Sequence, residues 1–514
     1  MKTLMVVLAA VGVSLFATEP NSETKSWWAH VKAMAGDSLQ GRDTGSEGYR
    51  KAAAYVVEQF RRAGLSPAGE NGGWYQTVPL HAVRVRTDQS EIALVRKDGS
   101  RVPLQWLRNV TLTARAGLPE SVDAPLMFEG SGPADDPELK GKILVRLGAA
   151  AGGAGGGRRG GAAAAVNGAV GTLTIDASGG PEPPKWPVAY AVSVTVSDAA
   201  ANAIGAAAGR GQGGGGGVAL RLSSAAADEL LAGSGHTYRE LADLAAERKP
   251  LPGFAIPATL RARIKVETAD LQSDNVLGVL PGSDPALANE YIVIAAHLDG
   301  YGIGEPWAGD RIYNGAFDDA AYVATMIDFA EKLQAAKKKL KRPVLFAVWT
   351  GEEKGLLGSR YFVAHPTVPK ERLAANVNLD QLRPIFPLKT LTALAVDEST
   401  LGDTARRVAA SMDIRIQPDP EPGRNLLRRS DHWNFMQIGV PAIGFIFGYE
   451  PGSADETVYR RWYAERYHTP KDDLDQPWDP AAAAKFNDFF GKLVEALADG
   501  AERPAWKPGS QYAK

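Results

Sequence analysis

Three short strand candidates constrain this chain most: residues 291–296, 344–349 and 376–379. The first is a near-continuous apolar run, which suits a strand buried on both faces; the second is a further buried strand and the third a shorter one. Each is also too short for a buried helix. Residues 322–336 have helical period and lie between the first two runs. A fourth strand candidate lies at 441–447, and 481–497 closes the region as a helix. Strand-helix alternation of this kind implies an α/β fold, a mostly parallel mixed sheet with helices on both faces. The three runs also end alike. The first leads into His297 and Asp299, the second into Glu352 and Glu353, the third into Asp380. In open α/β sheets ligands bind beyond the carboxyl ends of the strands, so these distant side chains are expected to converge.

The rest of the chain is organised around this region. At 514 residues it exceeds what one core usually serves, so two or three units are expected. Residues 20–120 read as an α/β start, with a helix over 27–39 and an amphipathic helix over 49–63. In the second helix Ala52, Val56, Phe60 and Ala63 form one stripe, and Gly64 ends it. From about 124 to 257 the composition shifts to short apolar runs, at 142–147 and 169–175, interleaved with glycine. Two tracts, 152–161 and 209–217, are expected to be mobile loops of a small β-rich unit. Neither ends in the Lys-Ser/Thr of a phosphate-binding loop. At the N-terminus Lys2 precedes an apolar run over 4–16, the pattern of a secretory signal peptide or, failing cleavage, an anchor. The expected organisation is thus 1–19 as signal or anchor, 20–123 with 258–500 as one domain, 124–257 inserted, and 501–514 as a tail.

Composition then narrows the chemistry. A net charge of −2 gives no reason to expect nucleic acid or an anionic membrane as partner. With no cysteine, a metal site must use His, Asp and Glu. Besides the strand-end residues, Asp318 and Asp319 precede the helix at 322, and His468 sits in a loop after Tyr467. Taken singly, each aspartate reads as a helix cap and the histidine as solvated. Together, two histidines and three or four carboxylates make a site suited to zinc. A shared carboxylate would hold two cations ~3.5–4 Å apart. Glu352 and Glu353 are adjacent, so one would bind metal while its neighbour moves a proton.

The motifs Ser273-Asp274-Asn275-Val276, Ala296-His297-Leu298-Asp299, Gly315-Ala316-Phe317-Asp318-Asp319, Thr350-Gly351-Glu352-Glu353, Asn378-Leu379-Asp380, Ser430-Asp431-His432 and Tyr467-His468-Thr469-Pro470 occur in one order across 260–500. In this the chain resembles the co-catalytic zinc exopeptidases, the family of bacterial leucyl aminopeptidases and glutamate carboxypeptidase II. The segment from Leu39-Gln40-Gly41-Arg42 to Gly64-Leu65 resembles that family's N-terminal portion. The resemblance implies two zinc ions: His297 and Asp380 on one, Glu353 and His468 on the other, Asp318 bridging. It implies Glu352 as general base, Asp299 as a carboxylate orienting the His297 ring, and Tyr467 as an oxyanion stabiliser. It also implies a cis peptide at Asp318–Asp319. The inserted region, through Leu139-Lys140-Gly141-Lys142-Ile143 and Gly168-Ala169-Val170-Gly171, resembles a protease-associated domain. The expected activity is hydrolysis of terminal peptide bonds by an exported enzyme, an aminopeptidase by family frequency. Glu305, Trp307 and Glu450 are candidates to read a free amine; Arg424, Arg428 and Arg429 are candidates to read a free carboxylate. The rivals are a carboxypeptidase or dipeptidase, a one-zinc glutaminyl cyclase-like enzyme and a receptor-like relative without metal.

Overall fold

The structure, a computed structural model, describes residues 19–131, 139–148, 168–176, 186–207, 217–381 and 383–513. The N-terminal segment read as signal or anchor lies outside the described residues, as do the glycine tract 152–161 and all but the last residue of 209–217. Among the described residues no helix is long and apolar enough to cross a membrane.

The larger sheet contains nine strands in series: β1 (Tyr75–Val85), β2 (Val192–Val196), β3 (Val266–Leu280), β4 (Tyr291–His297), β5 (Val344–Trp349), β6 (Leu373–Leu379), β7 (Thr390–Leu394), β8 (Arg415–Gln417) and β9 (Ala442–Phe447). Their spatial order is β8-β7-β9-β6-β4-β5-β3-β1-β2. At the centre β4 runs parallel to β5 and β6, and β6 parallel to β9. Antiparallel strands flank this centre, with β3 on β5 and β7 on β9. The sheet is therefore mixed, with a parallel middle. The three strand candidates became β4, β5 and the second half of β6.

Helices cover both faces. On one side α1 (Lys25–Ala35), α2 (Glu47–Arg62), α3 (Ala321–Ala335) and, near the C-terminus, Pro480–Asp499 pack on Ile292, Ile294, Val344, Phe346 and Val348. On the other side Val293, Ala295, Leu345, Ala347 and Trp349 meet Phe362 and Phe435. Successive strand residues thus enter opposite cores, the physical reason β4 and β5 do not alternate with polar residues. The stripe of α2 faces inward as expected, with Ala52, Val56, Phe60 and Ala63 all buried. The first helix is shorter than expected. It stops at Ala35 because Gly36 takes an extended conformation, and Asp37–Arg42 follows as a 3-10 turn.

A second sheet of eight strands has its own core, built from Leu94, Leu126, Phe128, Ile143, Leu173, Leu220 and Leu260 among others. It takes strands from Glu91–Arg96, Arg101–Pro103 and Val110–Leu112 and extends to Arg263. It is therefore wider than the 124–257 expected for the insertion. The glycine-rich composition begins near 124, but partnership in a sheet is set by long-range pairing, which composition does not report. One segment crosses between units: β2 lies within the insertion by sequence yet pairs antiparallel with β1 of the larger sheet.

Phe346 is fully buried and packs edge-on to Phe60 at 5.5 Å and against Phe329 at 6.2 Å. Truncating it to alanine is expected to cost about 3–5 kcal/mol, seen as a lower urea midpoint at unchanged slope.

Candidate metal centre

The strand ends do converge. His297 terminates β4, Asp380 follows β6, and Glu352 and Glu353 follow β5 after Gly351, whose φ of +66° turns the chain sharply. Asp318 comes from the irregular segment Ala316–Ala320 just before α3, and the Asp318–Asp319 peptide is cis. His468 arrives from the loop after the helix Ala454–Glu465. His297 Nε2 lies 3.2 Å from Asp318 Oδ1 and 3.9 Å from Asp380 Oδ1. His468 Nε2 lies 3.2 Å from Asp318 Oδ2 and 3.4 Å from Glu353 Oε1. Among the described residues three groups have ligand atoms within 4.8 Å of one another: His297–Glu352–Glu353, and the pair His297–Asp318–Asp380 and Asp318–Glu353–His468. Asp318 is common to both and presents a different oxygen to each.

The donors fit a cation. Asp380 Oδ1 is buried without a hydrogen-bond partner among the described residues. Burial raises the Asp380 carboxyl to about 6, against the pull of His297. Both imidazoles sit above their ordinary pKa: burial, which alone would lower them, is outweighed by Asp318, Glu352 and Asp380 around His297, and by Glu353 and Asp318 around His468. The site holds protons where a divalent cation would hold the same charge. The set of two imidazoles and three carboxylates without thiolates suits zinc. Glu352 is buried alongside, and burial pushes its carboxyl well above the usual range.

The support around these groups differs in part from expectation. The His297 ring is held through Nδ1 at 3.0 Å from the backbone oxygen of Asp299, whereas the Asp299 carboxylate is 3.8 Å away. That carboxylate instead accepts the backbone N–H groups of Glu352 (3.0 Å) and Glu353 (3.3 Å) and the Thr44 hydroxyl (3.0 Å). A carbonyl serves the ring as well as a carboxylate does. Freed from the ring, the carboxylate fixes the turn that carries both glutamates. Asp319 accepts the N–H groups of His297 and Gln381, each at 3.3 Å, and so ties β4 to the residues after β6. Tyr467 stacks on His468 with ring centroids 3.6 Å apart, and its hydroxyl accepts from Gln381 and Arg429 at 3.3 Å.

Two supporting residues escaped the sequence reading. Asp472 accepts the N–H groups of Phe317 (3.0 Å) and Asp318 (3.1 Å), and burial raises its carboxyl to about 7. Arg42, fully buried, donates to the carbonyls of Met34, Leu298, Asn314 and Gly315. It belonged to a quoted motif, but nothing local to Gln40-Gly41-Arg42 says that the guanidinium reaches residues 298 and 314.

The candidates for reading a substrate terminus divide. Arg424 is buried against Glu421 and Tyr459, Arg428 lies over Trp433, and Glu450 pairs with Arg415. Trp307 packs against Lys471 at 5.1 Å, and Glu305 is exposed on the strand Gly302–Trp307. Of the three arginines, Arg429 reaches the site through the Tyr467 hydroxyl.

The fold is similar to that of the aminopeptidase from Aneurinibacillus sp. strain AM-1, with TM-score 0.58 and 19% identity over 93% of this chain and 95% of that one. It is similar also to BSAP, a zinc aminopeptidase from Bacillus subtilis, with TM-score 0.57 and 16% identity over 94% and 97%. Residues 275–494 match the model of Peptidase family M28. Among curated relatives, leupeptin-inactivating enzyme 1 of Streptomyces exfoliatus is 25% identical over 34% of this chain and 36% of its own length. The probable leucine aminopeptidase 2 of Aspergillus oryzae is 26% identical over 39% and 40%. A glutamate carboxypeptidase 2 homolog of Caenorhabditis elegans is 24% identical over 38% and 27%. The chain thus spans well under two thirds of the length of these relatives.

Asp431, buried near the centre, accepts from the Ser359 hydroxyl, yet burial raises its carboxyl to about 7. Its unfolded value is ~3.9. The folded state binds the proton more tightly, so this group's contribution is complete below pH ~4 and is lost as pH rises through about 7. In metal-free protein the stability of wild type relative to Asp431→Asn should therefore fall as pH rises from 5 to 8. Paired thermal melts check this; a pH-independent difference would contradict it.

Proposed function

We propose that the chain is a zinc-dependent exopeptidase that removes N-terminal residues from peptides. The observation that carries this reading is the position of Asp318, with one oxygen toward His297 and Asp380 and the other toward His468 and Glu353. His297 with Asp380 would hold one zinc, Glu353 with His468 the other, and Asp318 would belong to both. Zinc bound in this way lowers the pKa of a water toward ~7 and polarises a carbonyl.

The chain's own residues supply the rest. Glu352 stands beside the ligands but outside the two bridged groups, in a dry setting that raises its proton affinity. Its carboxylate takes the proton from the attacking water and returns it to the nitrogen of the leaving amine. A carboxyl with a raised pKa is suited to both transfers, since each needs proton affinity near the working pH. The Tyr467 hydroxyl donates to the substrate oxygen as it gains charge. Asp299, through the two N–H groups it accepts, keeps Glu352 and Glu353 in their separate roles.

One consideration favours the amino-terminal direction: the similar solved folds carry aminopeptidase names. The basic and apolar start of the chain supports export, and the eight-stranded unit, from about 86 to 265, is read as a protease-associated-like insertion.

Glu352→Gln should keep both zincs by metal analysis and lose at least ~10²–10⁴-fold in kcat. Turnover like wild type would refute its role as base. On a panel of free and N-blocked peptides, release of N-terminal residues from the free ones is expected, and chelator should abolish it. Release of C-terminal residues from blocked peptides would reverse the direction.

A further inference from the structure

The His468 ring has two nitrogens with different neighbours. Nε2 faces Asp318 and Glu353. Nδ1 lies 3.4 Å from the hydroxyl of Tyr190. A metal-bound imidazole needs its second nitrogen held, because that bond fixes both the tautomer and the ring plane. For His297 the peptidase domain supplies that hold itself, through the Asp299 carbonyl. For His468 the partner comes from elsewhere in the chain.

Tyr190 lies in the short turn Val188–Ala191, and the eight-stranded unit sets where it sits. Its carbonyl accepts from the hydroxyl of Thr111 at 3.2 Å, and the Arg221 guanidinium lies 5.5 Å from its ring. Thr111 and Arg221 face each other on paired strands of that unit. Immediately after the turn, β2 pairs with β1 of the larger sheet, with Val192 opposite Arg84. Pro187, just before it, bridges to Gly304. The Tyr190 ring meets Tyr301 edge-on at 5.3 Å, and Tyr301 in turn packs on His468 at 4.4 Å. The turn is thus pinned on both sides, and the Tyr190 hydroxyl lies beside the His468 nitrogen that faces away from the cluster.

We propose that Tyr190 is a positioning residue through which the eight-stranded unit holds the His468 ring and thereby sets the affinity of the cation position formed by Asp318, Glu353 and His468. The hydroxyl oxygen accepts the Nδ1 proton and leaves the Nε2 lone pair directed at that position. The insertion is then part of the metal centre rather than only a cover over it. This rests on the two-zinc reading above.

The test uses the full chain, stripped of metal by chelator and titrated with zinc against a fluorescent chelator. Tyr190→Phe removes one oxygen and keeps the ring. It should weaken one of the two zinc positions on the order of 10-fold and leave the other unchanged. With excess zinc, kcat should return toward wild type while KM stays constant. Tyr238→Phe, in the helix Tyr238–Ala246 of the same unit and remote in sequence from the turn, controls for general loosening and should titrate like wild type. Two zincs at wild-type affinity in Tyr190→Phe would overturn the proposal. Equal weakening in Tyr238→Phe would overturn it too, as a diffuse effect of the unit. A wild-type protein that binds fewer than two zincs would instead sink the two-zinc reading itself, and this inference with it.

Discussion

Buried negative charge is the constraint around which this molecule is built. Asp299, Asp318, Asp319, Glu352, Glu353, Asp431 and Asp472 are all buried close to the ends of three central strands. Each carboxylate taken out of water is costly, and each repels the others across a medium that screens poorly. Such a cluster persists only if each member has its own compensation. Asp299, Asp319 and Asp472 are satisfied by backbone N–H groups that belong to the segments carrying the ligands. The same bonds that make the charge tolerable therefore place the ligands. Arg42 adds a buried positive charge, and burial lowers it to about 10 despite the Asp472, Asp299, Asp319 and Asp318 charges around it. Its donors go to carbonyls rather than to carboxylates, so it braces the 298 and 314–315 segments while it offsets charge at a distance.

The first ligand layer has no such backbone compensation to spare. Asp318 and Asp380 offer oxygens to the space between the histidines, and Asp380 Oδ1 has no other partner among the described residues. The two imidazoles retain protons above their usual range because that space demands positive charge. A divalent cation would meet the same demand. Metal affinity and proton affinity here are one property, set by burial and by the count of carboxylates.

Much of this was legible in the sequence for a physical reason. Strands buried on both faces need not alternate, so β4 and β5 appeared as unbroken apolar runs, whereas β6 carries the buried Asn376 and Asn378 and showed more weakly. His297, Glu353 and Asp380 stood out at the ends of these strands, Asp318 and His468 stood out only through the motifs around them, and all five lie together in the structure. What stayed hidden depends on pairing across the chain. The strands β1 and β3 have one wet end and little apolar signal: Glu267 to Asp270 are exposed in β3. The reach of Arg42 to residue 298, the clamp of Asp472 on Phe317, and the use of the Asp299 carbonyl in place of its carboxylate are matters of angle and distance between segments. Residue type constrains none of these.

The same reasoning explains why the eight-stranded sheet reaches beyond the glycine-rich segment and why that matters for the site. Glycine content marks where backbone is costly to order, and it rises at 124. The strands at 91–112 carry no such mark and join that unit through register alone, as Val110–Leu112 does opposite Leu220–Leu222. With Thr111 counted in the unit, the 186–196 segment is anchored at one end to the second sheet and at the other, through β2, to the first. A segment tied to two sheets cannot shift with respect to either without breaking hydrogen bonds in one. The Tyr190 hydroxyl sits between those anchors, so its distance from His468 reports how the two sheets are seated on each other. The cleft is accordingly a joint property of both units, and its geometry is no more independent of the insertion than of the strands that end in it.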